Sequence, residues 1–118
     1  MMEAFLKPEP GKLLLVDDDA NNLDLLSRRL VRHGYTVEVA SDGPSALEKI
    51  NRCEYDLVLC RNVVIYFTDV AKERIYRAFY DSLRPGGLLF IGGTERLADH
   101  RAIGFELVIP FFYRKPPL

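Results

Sequence analysis

Two short stretches carry the side chains best suited to chemistry. Asp17-Asp18-Asp19 sets three carboxylates in a row directly after the apolar run Leu13–Val16. Arg61-Asn62 follows a second apolar run, Tyr55–Cys60. A guanidinium presents its donors in a rigid fork that matches a carboxylate. Arg61 is therefore expected to neutralise Asp17 and Asp18, provided that the two runs lie side by side. The alternative turns Arg61 to solvent and leaves the acids open.

Other reactive side chains are less organised. His33 and His100 have no spaced Cys, His or acidic partners, so surface or cap roles are expected of them. Cys53 and Cys60 are too few for a disulfide scaffold and sit in apolar surroundings, as reduced packing residues do. Gly86-Gly87 and Gly92-Gly93 lack the strand-loop-helix setting of a phosphate loop and read as turn and strand-end residues. Arg74, Arg77 and Arg84 interleave with Tyr76, Phe79 and Tyr80, the pattern of a helix with a solvated basic edge. Ser27, Ser41, Ser45 and Ser82 form no Ser/His/acid arrangement.

The elements that must position these groups alternate. Lys12–Val16 reads as a strand buried on both faces. Leu23, Leu26 and Leu30, widened by Leu25 and Val31, give a helix starting near Asn21 or Asn22 and stopping at Gly34. Tyr35–Ala40 is a β-branched strand. Pro44 opens a helix with Ala46, Leu47 and Ile50 on its buried side. Tyr55–Cys60 is a central strand. A helix from about Asp69, capped by Thr68, carries Ile75, Phe79 and Leu83 on one stripe. Arg84–Gly87 ends it, and Leu88–Ile91 is the fourth strand. Phe105–Ile109 and Phe111–Arg114 form a hairpin broken at Pro110. Alternation of this kind gives parallel pairing with right-handed crossovers. The expected fold is a three-layer α/β/α sandwich with a mostly parallel sheet, to which the closing hairpin adds an antiparallel strand.

Residues 12–60 resemble the receiver domain of bacterial response regulators. Leu13-Leu-Leu-Val-Asp-Asp-Asp19, the helix through Gly34-Tyr35, Val39-Ala-Ser-Asp-Gly43 and Ala46-Leu47 fall in that family's order. The resemblance implies a Mg²⁺ site at Asp17 and Asp18. It places Arg61 at the phosphoacceptor position, and a guanidinium is neither nucleophile nor metal ligand, which excludes ordinary phosphotransfer. Lys115-Pro116 mimics the receiver's Lys-Pro dipeptide, but it follows the antiparallel strand.

Residues 55–115 resemble the C-terminal part of chemotaxis-receptor glutamate O-methyltransferases, which use S-adenosylmethionine. Asp56-Leu-Val-Leu-Cys-Arg-Asn62, Val63-Val-Ile-Tyr-Phe67, Leu83–Phe90, Gly92-Gly-Thr-Glu-Arg-Leu97 and Phe112–Lys115 carry the likeness. It implies the strand order 2-1-3-4-6-5 with an antiparallel last strand, and that Arg61 and Asn62 contact the cofactor. Gly93 stands where that family commonly has His, and the small-residue loop that family uses after its first strand is replaced by Asp17–Asn21.

The chain therefore reads as one α/β domain over residues 1–118. It has a tail at 1–11, a receiver-like half at 12–60, a methyltransferase-like half at 61–118 and a seam within 55–60. Composition agrees with one globular domain: 118 residues, 48% hydrophobic and 28% charged. The net charge of −1 argues against a basic nucleic-acid binder. It sums 7 Lys+Arg against 11 Asp+Glu in residues 1–60 and 9 against 6 in residues 61–118. No apolar run is long enough to span a bilayer, and Met1–Gly11 lacks the apolar core of a signal peptide, so a cytoplasmic location is expected.

The expected function is a non-catalytic receiver–methyltransferase chimera, engineered to test the relation between flavodoxin-like and Rossmann-like folds. No cofactor is expected beyond weak Mg²⁺ or S-adenosylmethionine, and the partner would be a bacterial signalling protein, with no nucleic acid and no membrane. Two alternatives stand beside it: a natural pseudo-receiver acting as an interaction module, and a minimal S-adenosylmethionine binder or methyltransferase.

Overall fold

A computed structural model describes residues 11–61, 68–92, 97 and 100–117. In chain order the elements are β1 (Lys12–Asp17), α1 (Ala20–Arg32), β2 (Thr36–Ala40), α2 (Gly43–Ile50), β3 (Tyr55–Arg61), α3 (Asp69–Ser82), β4 (Leu83–Ile91), α4 (His100–Ile103), β5 (Glu106–Ile109) and β6 (Phe112–Arg114). They build one six-stranded sheet in the order β2-β1-β3-β4-β6-β5. The first four strands in that order pair in parallel, and β6 runs antiparallel to both β4 and β5. This is the strand order expected from the sequence.

Local chemistry sets the helix ends. Asp19 accepts from the backbone N–H groups of Asn21 and Asn22, so α1 begins one or two residues earlier than its asparagines suggest. Asp42 caps α2 through the Ser45 N–H, with Pro44 in the first turn. Thr68 caps α3 through the Ala71 N–H. Gly34, at φ 91°, closes α1 in the left-handed region that favours glycine.

The side chains of β1 and β3 alternate between two unequal layers. Leu14, Val16, Val58 and Cys60 enter the main core with Ala46 and Ile50 of α2, Ile75 and Phe79 of α3, and Leu89, Ile91 and Tyr113. The opposite face carries Leu13, Leu15 and Asp17 of β1, with Leu59 and Arg61 of β3, and α1 lies over it. Leu57, Leu59, Leu88, Phe90 and Phe112 on that side stay only half-buried. The apolar stripe of α1 is also narrower than its sequence suggests. Leu25 and Val31 are 63% and 56% exposed, because one face of α1 meets the sheet and its flanks do not.

β4 departs from expectation at its start. Helix α3 passes into strand at Leu83 with no intervening loop, and Arg84-Pro85-Gly86-Gly87 lies inside β4 as an irregularity. Tyr55 is opposite Leu83, and Leu57 is already opposite Leu88. The extra residues swing out to bond with the chain end: Gly86 N–H donates to Lys115 O at 2.9 Å and Lys115 N–H to Gly87 O at 2.9 Å. Substituting the two glycines should separate conformation from packing. Gly86 has φ 82° and nothing within 4 Å of an added Cβ, so Gly86→Ala should cost about 1 kcal/mol of backbone strain. A Cβ on Gly87 would lie 2.8 Å from Arg84 O, so Gly87→Ala should cost clearly more in urea unfolding.

At the amino end of the strands, polar groups tie three strands together. Tyr55, fully buried, donates its hydroxyl to the Glu38 carboxylate. Lys12 Nζ donates to Cys53 Sγ at 3.0 Å and lies 3.9 Å from Glu38. Cys53 is therefore not the purely apolar packing residue expected, since its sulfur meets an ammonium. Burial first, then the bond to Glu38, pushes the Tyr55 hydroxyl well above its ordinary value of 10.0. The bond to Cys53 is the main cause raising Lys12 above 10.5. Both raised groups stabilise the fold fully below their unfolded values and cease to do so as pH climbs past them. Stability measured by denaturant should hold as pH rises to about 10 and then fall, with a shallower fall in Tyr55→Phe.

Candidate functional site

In open α/β sheets ligands bind beyond the carboxyl ends of the strands, where the winding changes direction. Here that point lies between β1, which leads to β2 on one side, and β3 on the other. Asp17 closes β1, Arg61 closes β3, and the two are direct partners in the parallel register. Gly92, just past β4, donates its N–H to Cys60 O at 3.2 Å and so sits beside Arg61. The sequence expectation that the acidic turn and Arg61 meet at one edge is met by the backbone.

The three carboxylates do different things. Asp17 is 3% exposed, and its Oδ1 accepts the Asp19 N–H at 3.0 Å, which tightens the turn out of β1. Asp19 is spent on capping α1, accepting from Asn21 N–H at 2.9 Å and Asn22 N–H at 3.3 Å. Asp18 is exposed. Among the described residues no group of three metal-ligating side chains converges.

The expected ion pair between Arg61 and these acids is not formed: among the described residues no salt bridge joins Arg61 to Asp17 or Asp18. The reason is the stem of Arg61. A Cβ on Gly92 would lie 2.9 Å from Arg61 Cγ and 3.3 Å from Cδ, so the stem rests in the space that glycine leaves. That contact seats the stem against the residue that follows β4. Asp17 and Arg61 both line one groove of about 290 Å³, together with Leu15, Leu59 and, from α1, Asn22, Leu23, Leu25, Leu26 and Arg29.

Sequence reasoning missed Gly92 as the seat of Arg61, and it missed Asn22 and Arg29. Asn22, Leu26 and Arg29 stand at i, i+4 and i+7, the spacing of one helix face, so the signal was present but read only for its leucines. Asn62 and Gly93 lie outside the described residues. Lys115 is no receiver lysine: its Nζ donates to Leu83 O at 2.9 Å, at the amino end of β4 and remote from Asp17. His33 caps α1 through its backbone, and the His100 ring lies 5.4 Å from that of Tyr113.

Comparison with known proteins fits this geometry. Residues 45–108, more than half of the chain, match the CheR methyltransferase, SAM binding domain. A chemotaxis protein methyltransferase of Listeria innocua is 49% identical over 61 residues, covering 52% of this chain and 23% of that protein. The chemotaxis protein methyltransferase of Escherichia coli is 33% identical over 91 residues, covering 77% of this chain and 27% of that protein. The chain thus spans about a quarter of the length of these curated relatives. In structure it is similar to the chemotaxis protein CheY4 of Vibrio cholerae, with a TM-score of 0.54, 24% identity, and coverage of 80% of this chain and 78% of that one. It is also similar to phosphoethanolamine N-methyltransferase 2 of Haemonchus contortus, at a TM-score of 0.51 and 12% identity over 70% of this chain and 19% of that one.

The two resemblances read from sequence are both found: a receiver-like fold and a methyltransferase second half, joined in one sheet. The expectation of a domain outside enzyme chemistry is overturned, because the relatives are named methyltransferases and the matched family is an enzyme family. With residues 45–108 inside that match, the chain belongs to the CheR methyltransferase family, through its SAM binding domain.

Proposed function

We propose that this chain is the S-adenosylmethionine-binding part of a methyltransferase acting on chemotaxis proteins, with Arg61 as its principal cofactor contact. The observation that carries the reading is continuity. The family match runs without a break through β3, its terminal Arg61, α3 and β4, so the residues at the carboxyl ends of β3 and β4 are those of the family. The names of the relatives supply the acceptor class, a chemotaxis protein. The reading places the chain in the bacterial cytoplasm with a signalling protein as partner.

The fit to the cofactor is one-sided. Beside β3, Arg61 offers a guanidinium suited to a carboxylate or ribose hydroxyls, and its stem packs over Gly92. Asn62, by its place in sequence, would stand next to it. At β1 the turn carries Asp17, Asp18 and Asp19, where close approach of a nucleoside to backbone calls for small residues. Weak binding follows, with Asp17 and Asp18 also open to weak Mg²⁺. When bound, the cofactor supplies a sulfonium-activated methyl group. The part of this chain is to bind and orient it, and Gly92 fixes the stem of the residue that does so.

The receiver-like reading of residues 12–60 and the family match over residues 45–108 overlap from α2 into β3. A deliberate recombination comparing the two folds would leave such a seam.

Thermal unfolding with S-adenosylhomocysteine tests the reading. At ten times Kd a ligand stabilises by about 1.4 kcal/mol, roughly 5 °C for a domain of this size. That shift is expected at millimolar ligand and should disappear in Arg61→Met, which keeps the apolar stem. Gly92→Ala should weaken it similarly by displacing Arg61, with far-UV circular dichroism unchanged. No shift in the folded wild type at about ten millimolar ligand would refute the reading.

A further inference from the structure

We propose that Lys12 and Cys53 are a peroxide-driven cross-linking site, at which the lysine nitrogen and the cysteine sulfur join in a sulfenamide bond. The site lies at the amino end of the strands, opposite to the end that Arg61 closes, and is independent of the cofactor reading.

Three reactive groups stand within reach of one another. Lys12 Nζ donates to Cys53 Sγ at 3.0 Å, and the same sulfur lies 4.0 Å from Glu38 Oε2. That oxygen is in turn 3.9 Å from Lys12 Nζ. The groups come from β1, from the connection between α2 and β3, and from β2. The backbone holds Lys12 in place: it is opposite Thr36 in the parallel register, and its N–H donates to Asp56 Oδ2 at 2.8 Å. Its ammonium also lies 5.7 Å from the centre of the Tyr55 ring. Nitrogen and sulfur thus meet with little rearrangement, which removes most of the entropic cost of joining them. Cys53 is half-buried and lines a surface cavity of about 560 Å³ with Asn51, Glu54 and Ser82, a route for a small oxidant. Cys60 offers no competing disulfide, because it is 1% exposed in the main core near the far end of β3.

The co-reactant is a hydroperoxide, and the chemistry takes two steps. In the first, an electron pair of Cys53 Sγ attacks one peroxide oxygen. An S–O bond forms, the O–O bond breaks, and the thiol proton leaves with the departing hydroxide as water. The sulfur is oxidised to the sulfenic acid and the peroxide is reduced. A sulfenic acid is electrophilic at sulfur and condenses with a nearby nitrogen. In the second step Glu38 takes a proton from the Lys12 ammonium, and the freed lone pair attacks Sγ. The N–S bond forms, the S–O bond breaks, and hydroxide leaves with the second nitrogen proton as water. Glu38 then returns its proton to solvent. No electrons move to an external acceptor in this step, so one peroxide suffices for one cross-link. The bond joins positions 41 apart and ties the first residue of β1 to the entry of β3.

Mass spectrometry of the full chain treated with a modest excess of hydrogen peroxide tests this. The intact mass should fall by two hydrogens, and peptide mapping should place the new link between Lys12 and Cys53. Dithiothreitol should reverse it. The linked chain should also unfold several degrees higher, since a bond across 41 positions narrows the unfolded ensemble. Lys12→Arg keeps the positive charge but lacks a nucleophilic amine, so it should lose the link and accumulate Cys53 sulfenic acid, trapped by dimedone. Should that variant fail to fold, the peptide map of the wild type decides alone. An unreacted wild type overturns the proposal. So does Cys53 that stops at sulfenic or proceeds to sulfinic acid with Lys12 unlinked, a link spread over other lysines, or a linked pair that retains an oxygen.

Discussion

Parallel pairing of β3 with β1 on one side and β4 on the other is the constraint on which everything else depends. It brings Asp17 opposite Arg61 and Cys60 opposite Ile91, so the ends of three strands arrive together at one edge. Side chains alternate along a strand, and a slip of one residue would exchange the faces. Leu57 and Leu59 would then compete for the core that Val58 and Cys60 fill, and Arg61 would swing beneath the α2–α3 layer. The burial of Tyr55, Val58 and Cys60 against Ile75 and Phe79 prevents this. Tyr55 further pins the amino end by its bond to Glu38 on β2, across the intervening β1.

With the register fixed, the unequal coverage of the two faces determines where a cavity can exist. Among the described residues, α2 and α3 fill one face, with Ile103 of α4 packed at their side. On the other face, among the described residues, α1 lies over β1 and β2, and Leu59, Phe90 and Phe112 stay half-buried. A groove forms where that helix stops. Its mouth lies at the strand ends, so the same boundary that leaves apolar surface uncovered also gathers the charges.

Much of this was legible in the chain. The alternation of apolar runs with 3.6-residue periodicities marked the strands and their mostly parallel pairing, and the resemblance to the methyltransferase family supplied the order 2-1-3-4-6-5. Asp17 and Arg61 were legible as neighbours for the same reason. Their failure to pair was not. It depends on Gly92, thirty-one positions after Arg61, whose missing Cβ gives the arginine stem a place to lie. A glycine after a strand reads as a turn residue, and only the register between β3 and β4 reveals what it accommodates. The passage of Arg84–Gly87 into β4 was hidden likewise. Pro-Gly-Gly is a strong local stop, but hydrogen bonds with Lys115, near the end of the chain, hold it in the sheet.

The near-zero net charge conceals the feature that matters at the edge. The acidic turn comes from the receiver-like half and the guanidinium from the methyltransferase half, and β3 sets them one strand apart. Had they paired, the edge would present little field to a ligand. Held apart, they leave opposite charges at the ends of neighbouring strands. That arrangement depends on the register of β1 with β3, since a slip of either strand by one residue would turn Asp17 or Arg61 to the other face.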